Sequence, residues 1–244
     1  MDSGLYLASA GLVARLRALE LTAQDLANVN TTAYRGSRSS FQSLLAQGQG
    51  QAMSVASRAV NQHSVVDGTT VDISQGQLKE TGNPLDVAIE GTGFIEIETP
   101  DGVRYTRNGN FRVSPDGVLV TQDGSKVRGD SGPILVPQGK IAVGTDGTIS
   151  VNGSLSGRLK LVEFAPEDRL VRQGESMFTA PTAAARPATH STVRQGMLEG
   201  ANVNAVEATV SLMTLQRHAE MLQRAMSVFH SELNRAAVEE LPKV

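Results

Sequence analysis

An apolar 4-3 alternation runs unbroken near the C-terminus, through Ala201, Ala205, Ala208, Leu212, Leu215, Ala219, Leu222, Met226, Phe229, Leu233 and Ala236. That period puts the apolar groups on one side of an α-helix and is the seam spacing of a coiled coil. A straight helix over 201–236 would extend on the order of 50 Å. A shorter version opens the chain. Within 3–29, Leu5, Leu12, Leu19 and Leu26 recur every seven residues, and Ser9, Leu16 and Ala23 follow the first three at a spacing of four. Whatever lies between must fit between two terminal helices.

The helix ends share a tetrapeptide, Ala-Asn-Val-Asn, at 27–30 and at 201–204. Asn28 and Asn30 are candidate stops, because Asn tolerates the left-handed conformation that closes helices. Asn202 and Asn204 stand where an Asn side chain accepts from exposed N–H groups at a helix start. Asn204 followed by Glu207 has capping-box spacing, which moves that start to about 205. The repeated string reads as helix punctuation.

Between the ends the period changes. Residues 36–64 are rich in Ser, Gln and Gly and read as an extended connector. From 65 to 180 short β-prone runs such as FIEIET and RLKLVEF alternate with Asp101-Gly102, Asn108-Gly109, Asp116-Gly117, Asp123-Gly124 and Asp146-Gly147. These dipeptides favour tight hairpins, so the segment predicts a compact antiparallel domain. The expected division is 1–35 N-terminal helix, 36–64 connector, 65–180 β domain, 181–200 return linker and strand, and 201–244 C-terminal helix. The fold class is α+β: terminal helices paired as a coiled-coil-like rod, with an inserted, mainly antiparallel β domain. Isolated helices of this length are marginal in water, so the rod is expected to need neighbours.

Composition removes several functions. A net charge of −3 gives no footprint for nucleic acid. The chain has no cysteine, which excludes thiolate metal sites and a cysteine nucleophile. The four histidines lack metal spacing, and no catalytic fingerprint is present. The Gly91-Thr92-Gly93-Phe94 stretch lacks the further Gly and the Lys of a phosphate loop. Glu96 and Glu98 alternate with Ile95 and Ile97, as on the solvated face of a strand. No apolar run is long enough for a membrane span. The opening segment has no basic n-region, and Arg15 and Arg17 interrupt it, so it reads as a retained helix rather than a signal peptide. No catalytic, cofactor or metal site is expected.

The segments MDSGLYLASAGL and LANVNTTAYRG resemble the N-terminal signature of the bacterial flagellar rod and hook proteins. GNPLDVAIEGTGFIEI and YTRNGNFRVSPDGVLVTQDG resemble the start of their shared β domain, and GMLEGANVNAVEATVSLMTLQRHAEM their C-terminal signature. Within the family, MDSGLY and the segment 143–164 look more like the proximal than the distal rod type. The resemblance implies a structural subunit, exported unfolded by the flagellar export apparatus without a cleaved signal. It would polymerise with copies of itself and other rod proteins into a helical shaft that carries torque across the periplasm. The seam residues Leu5, Leu12, Leu16, Leu19, Leu26, Leu212, Leu215, Ala219, Leu222, Met226, Phe229 and Leu233 would then be subunit contacts. There are two departures. The family usually has Gly at the position of Ala33, so the exit after the first helix is expected to differ. His218 and Ala219 stand where the family often has an aromatic, and His218 reads as a solvated helix residue. The alternatives are the distal rod type, a fibre or adhesin with a helical stalk, and a peptidoglycan hydrolase on such a stalk.

Overall fold

The computed structural model describes residues 2–39, 69–165, 168, 170–174 and 176–239. Most of the expected 36–64 connector lies outside the described residues. The chain divides into two compact units. One holds the helices α1 (Asp2–Ala27) and α2 (Ala205–Glu239). The other is the β unit, made of Ala27–Gly36 and Thr70–Asn204.

The main sheet of the β unit runs Val171–Arg172, Met177–Thr179, Gly102–Thr106, Phe94–Thr99, Lys126–Gly129, Leu119–Thr121, Phe111–Val113. Leu161–Glu163 also pairs with Phe94–Thr99 and carries Arg186–Pro187 at its other edge. Ile141–Val143, Thr148–Val151 and Ser154–Arg158 form a separate meander. Its hairpin turns on Asn152 and Gly153, both with positive φ, as a two-residue primed turn requires. Asn108-Gly109 serves a different purpose. A Cβ on Gly109 would collide with the carbonyl of Val87, so this glycine permits a close backbone approach.

The strand Phe94–Thr99 is covered on both faces. Ile95 and Ile97 enter one apolar cluster with Val87, Phe111 and Val127. Phe94 enters another with Tyr105, Val162 and Phe178. Phe94 meets Phe178 edge-on at 5.7 Å, a favoured aromatic arrangement. Glu96 therefore departs from the solvated-face expectation. It is buried and takes Arg128 Nη1 at 2.7 Å and Lys160 Nζ at 3.0 Å. Burial of Tyr105 and, secondarily, the Glu96 charge push the Tyr105 hydroxyl above the ordinary tyrosine range. Glu98 is exposed.

The α+β class with a β insertion holds, but the coiled-coil-like pairing of the terminal helices does not. The side-chain hydrogen bond between them is polar, Arg15 Nη1 to His218 Nδ1 at 3.2 Å. Leu16 is exposed, and among the described side chains of the two stripes only Ala208 and Ala219 are buried. Among the described leucine side chains of α1 the most enclosed is Leu21, about 180° from Leu12 at helical pitch. The heptad frame was thus a poor guide to α1. With Ser9 and Ala23 among its positions, that stripe is too thin to seal a knobs-into-holes seam.

α1 ends at Ala27, and Thr31 N–H donates to Asn28 O at 3.0 Å. Neither Asn28 nor Asn30 takes positive φ; the left-handed residue of this exit is Ala33, at φ 58. The exit conformation that suits Gly is therefore kept with Ala in place. Removing Cβ would relieve about 1 kcal/mol of strain, while losing a buried methyl costs about 0.8 kcal/mol. Ala33→Gly should therefore change unfolding free energy by less than about 1 kcal/mol. Ala33→Val adds overpacking at a fully buried position and should cost about 2–4 kcal/mol. Urea titration followed by circular dichroism measures both; a neutral valine would show that the left-handed conformation is not required.

Candidate functional site

Within the β unit, the segment leaving α1 and the segment leading to α2 are joined by one buried carboxylate. Glu199 closes the strand Met197–Glu199, where it opposes Leu78 of Leu78–Glu80. Arg35 Nη2 donates to its Oε1 at 2.6 Å and Arg107 Nε to its Oε2 at 2.8 Å. All three side chains are fully buried. Gly76 N–H also donates to Oε1, at 2.7 Å, and Ala33 N–H donates to the Glu199 carbonyl, also at 2.7 Å.

Arg107 uses its remaining N–H groups on carbonyls: Gly93 at 2.9 Å, Gly91 at 2.8 Å and Ile89 at 3.1 Å. It also stands over the Phe94 ring at 5.5 Å. The Gly91–Phe94 stretch thus turns acceptors toward a cation, the reverse of a phosphate loop. Burial pulls Arg35 below the ordinary guanidinium range, and Arg107 adds to that pull. Glu199 and, more weakly, Asp72 oppose it. A planar five-donor group suits such a site, because it can bridge a carboxylate and still satisfy backbone oxygens.

Asn202 completes the joint. Its Oδ1 accepts Gly36 N–H at 2.7 Å, and its Nδ2 donates to the carbonyls of Asp72 at 2.8 Å and Ser74 at 3.1 Å. Its own N–H donates to Tyr34 O at 3.2 Å. The buried Tyr34 ring lies 4.4 Å from the Arg172 guanidinium, whose Nη1 donates to the phenol oxygen at 2.8 Å. The arrangement faces inward: the Glu199 carboxylate and the Arg107 guanidinium are met by protein partners, while Arg35 Nε and the Nε and Nη2 of Arg172 are buried without one among the described residues.

The residues expected from the sequence fall elsewhere. Leu12, Leu19, Leu26, Leu212, Leu215, Leu222 and Met226 are half-buried along the two helices. The side chains of Leu5, Phe229 and Leu233 lie outside the described residues. Asn204 directly precedes α2, and Glu207 is in its first turn. Among the described residues no cluster of acids or histidines is placed to hold a metal, and no helix is long and apolar enough to cross a membrane. Sequence reasoning missed Arg35, Arg107 and Glu199. They are 164 and 92 residues apart in the two pairs, and no local spacing marks them.

Glu199→Ala would leave two buried guanidinium groups without a carboxylate and should lower β-unit stability by about 3–5 kcal/mol. Arg35→Met retains the Arg107–Glu199 pair and should cost less. Urea unfolding monitored by circular dichroism compares them; a loss below about 1 kcal/mol for Glu199→Ala would contradict the central role of this carboxylate.

The family described as the flagellar hook protein FlgE/F/G D1 domain matches residues 88–151. The family described as the flagellar basal body rod FlgEFG protein C-terminal matches residues 194–237. Flagellar basal-body rod protein FlgF of Caulobacter vibrioides is 32% identical, with 100% of each chain covered. FlgF of Salmonella typhimurium is 33% identical over 97% of each chain. Flagellar basal-body rod protein FlgG of Agrobacterium fabrum is 34% identical over 91% of this chain and 94% of its own. The glutamate joint lies across these matched segments, with Arg107 in the first and Glu199 in the second. This chain belongs to the flagellar basal-body rod protein family.

Proposed function

We propose that the chain is a structural subunit of the flagellar basal-body rod, assembled through its terminal helices into a helical shaft that carries torque. The observation that supports this best is the end-to-end match to FlgF-type rod proteins. The helices supply the physical rationale. Each keeps a row of leucines half-buried, so a large part of their apolar surface awaits neighbours. In this reading Leu12, Leu19, Leu215, Leu222 and Phe229 are inter-subunit anchors. Partners are copies of the chain and other rod proteins, reached by the flagellar export apparatus without a cleaved signal. The division into helices, connector, β domain and return segment serves export followed by ordering at the growing tip. The proximal rod position fits the full-length FlgF likeness, and a non-enzymatic role fits a joint whose buried carboxylate is met by protein partners.

In dilute monomer the β unit should hold its amides for hours, while 5–26 and 212–233 exchange quickly. Hydrogen exchange read by mass spectrometry checks this, and strong protection in both helices would oppose assembly-coupled ordering. Leu222→Asp should place an unpaired charge at a packed position and abolish incorporation into basal bodies, with the β unit still folded. Normal incorporation would remove Leu222 from the contact.

A further inference from the structure

Arg172 is held in place as Arg107 is, but spends fewer of its donors. Its guanidinium lies 4.4 Å from the Tyr34 ring, and Nη1 donates to the phenol oxygen at 2.8 Å. Stacking and one hydrogen bond fix the plane of the group. Arg107 uses all three of its nitrogens. Arg172 uses one, and its Nε and Nη2 are buried without an acceptor among the described residues. Those two atoms form one edge of the guanidinium, with parallel N–H bonds at the spacing of the two oxygens of a carboxylate. Buried donors left unpaired are rare and costly, so an edge kept in this state calls for an acceptor of that shape.

The surroundings limit where such an acceptor comes from. Val171–Arg172 is the end strand of the main sheet and pairs on one side, with Met177–Thr179. Gln173 N–H donates to Met177 O at 2.9 Å, which sets the alternation of the ladder. Arg172 is then the residue whose own N–H and C=O face away from the sheet. An extended segment laid along this edge would meet those two groups. The side chain opposite Arg172 would fall on the same face as the guanidinium, where an opposite charge is favoured. Arg172 is partly exposed and Val171 is 60% exposed, so the edge reaches solvent. A two-residue strand opens at little cost, which lets a carboxylate reach nitrogens that are enclosed at rest. A small free acid has the guanidinium edge alone to hold it and too few atoms to bind tightly. A strand adds backbone hydrogen bonds to the same contact.

We propose that the Nε–Nη2 edge of Arg172 is a carboxylate-binding site, occupied by an Asp or Glu of an extended segment that another protein adds to the free edge of Val171–Arg172. The site rests on the geometry of the β unit and on no helix contact; the rod reading decides only where its partner is sought. Tyr34 couples the site to the Glu199 joint, because the Tyr34 carbonyl accepts the Asn202 N–H. A neighbour docked at the sheet edge thereby steadies the chain path after α1.

Sodium acetate titrated against sodium chloride at equal ionic strength probes the edge. The Arg172 Nε–H signal in heteronuclear NMR, identified by its loss in Arg172→Lys and in Arg172→Gln, should move with acetate alone, half-saturating on the order of 10 mM or above. An equal response to both salts would overturn the site. Flagellar basal bodies carrying Arg172→Lys test the partner, since the substitution puts a primary amine at the edge. A carbodiimide activates a carboxylate, the amine attacks the activated carbonyl, the urea leaves with the carboxylate oxygen, and an amide forms. Mass spectrometry should locate that amide between position 172 and an Asp or Glu of a second chain, in a product heavier by that chain. A link inside one chain, for example to Glu167 or Glu175, or no link at position 172, would overturn the proposal. If Arg172→Lys is not incorporated, Arg172→Gln decides: at least tenfold lower incorporation with the β unit still folded by circular dichroism supports the site, and wild-type incorporation overturns it. If the wild-type chain is absent from basal bodies, the rod reading fails and the acetate response alone decides the site.

Discussion

The Glu199 carboxylate is the interaction on which the β unit depends. Two arginines and a backbone N–H converge on it out of contact with water. Taking three ionic groups out of water costs several kcal/mol each, and their mutual attraction only roughly offsets that. Such a cluster contributes more to uniqueness than to stability. Met197–Glu199 pairs with Leu78–Glu80 in one register, and a one-residue slip would turn Glu199 to the other face. Both arginines would then be buried without a counter-charge. The penalty for slippage is thus far larger than the net value of the native pairs. Because the same residue accepts Ala33 N–H through its backbone, one register fixes the chain path after α1 and before α2 together.

The repeated tetrapeptide takes its meaning from this joint. Asn28 works locally, its side-chain oxygen accepting the Thr31 hydroxyl at 3.1 Å in the turn that closes α1. Asn202, at the corresponding place in the second copy, works at long range, tying Gly36 to Asp72 and Ser74. A primary amide has two donors and a two-lone-pair acceptor on one short stem. It can end a helix or staple three strands of chain, and the surroundings decide which.

Local signals in the sequence located the helices and turns well. A helix read over 3–29 is observed as Asp2–Ala27, and a start read at about 205 is observed at Ala205. The Asp-Gly punctuation fell in a region that is antiparallel sheet. These features depend on neighbours three, four or two residues away. The failures share a cause as well. Glu96 alternates with isoleucines as a solvated residue does, yet it is buried and paired with Arg128 and Lys160, both remote in sequence. Arg35 and Arg107 look like surface residues until the fold brings Glu199 to them. Leu21 lies off the heptad stripe and is nevertheless the one buried leucine among the described side chains of α1. Periodicity reports which side of a helix is apolar, not which side finds a partner.

That distinction bears on why the chain is built with such unequal parts. The β unit has two apolar clusters and a buried ionic joint. Among the described side chains of the helices, Leu21, Ala208 and Ala219 are the buried apolar ones. Three small burials cannot offset the ordering of two helices of 26 and 35 residues. A subunit whose helices were sealed in isolation would have no surface left to offer, and one with a single sticky face would stop at a dimer. α2 has apolar groups on opposite sides, half-buried Leu212, Leu215 and Leu222 on one and exposed Val206, Val210 and Met221 on the other. In the proposed assembly, weakness of each contact then becomes the condition for growth at a tip: a free copy gains too little from one face to nucleate elsewhere, and enough from several to stay where a rod already exists.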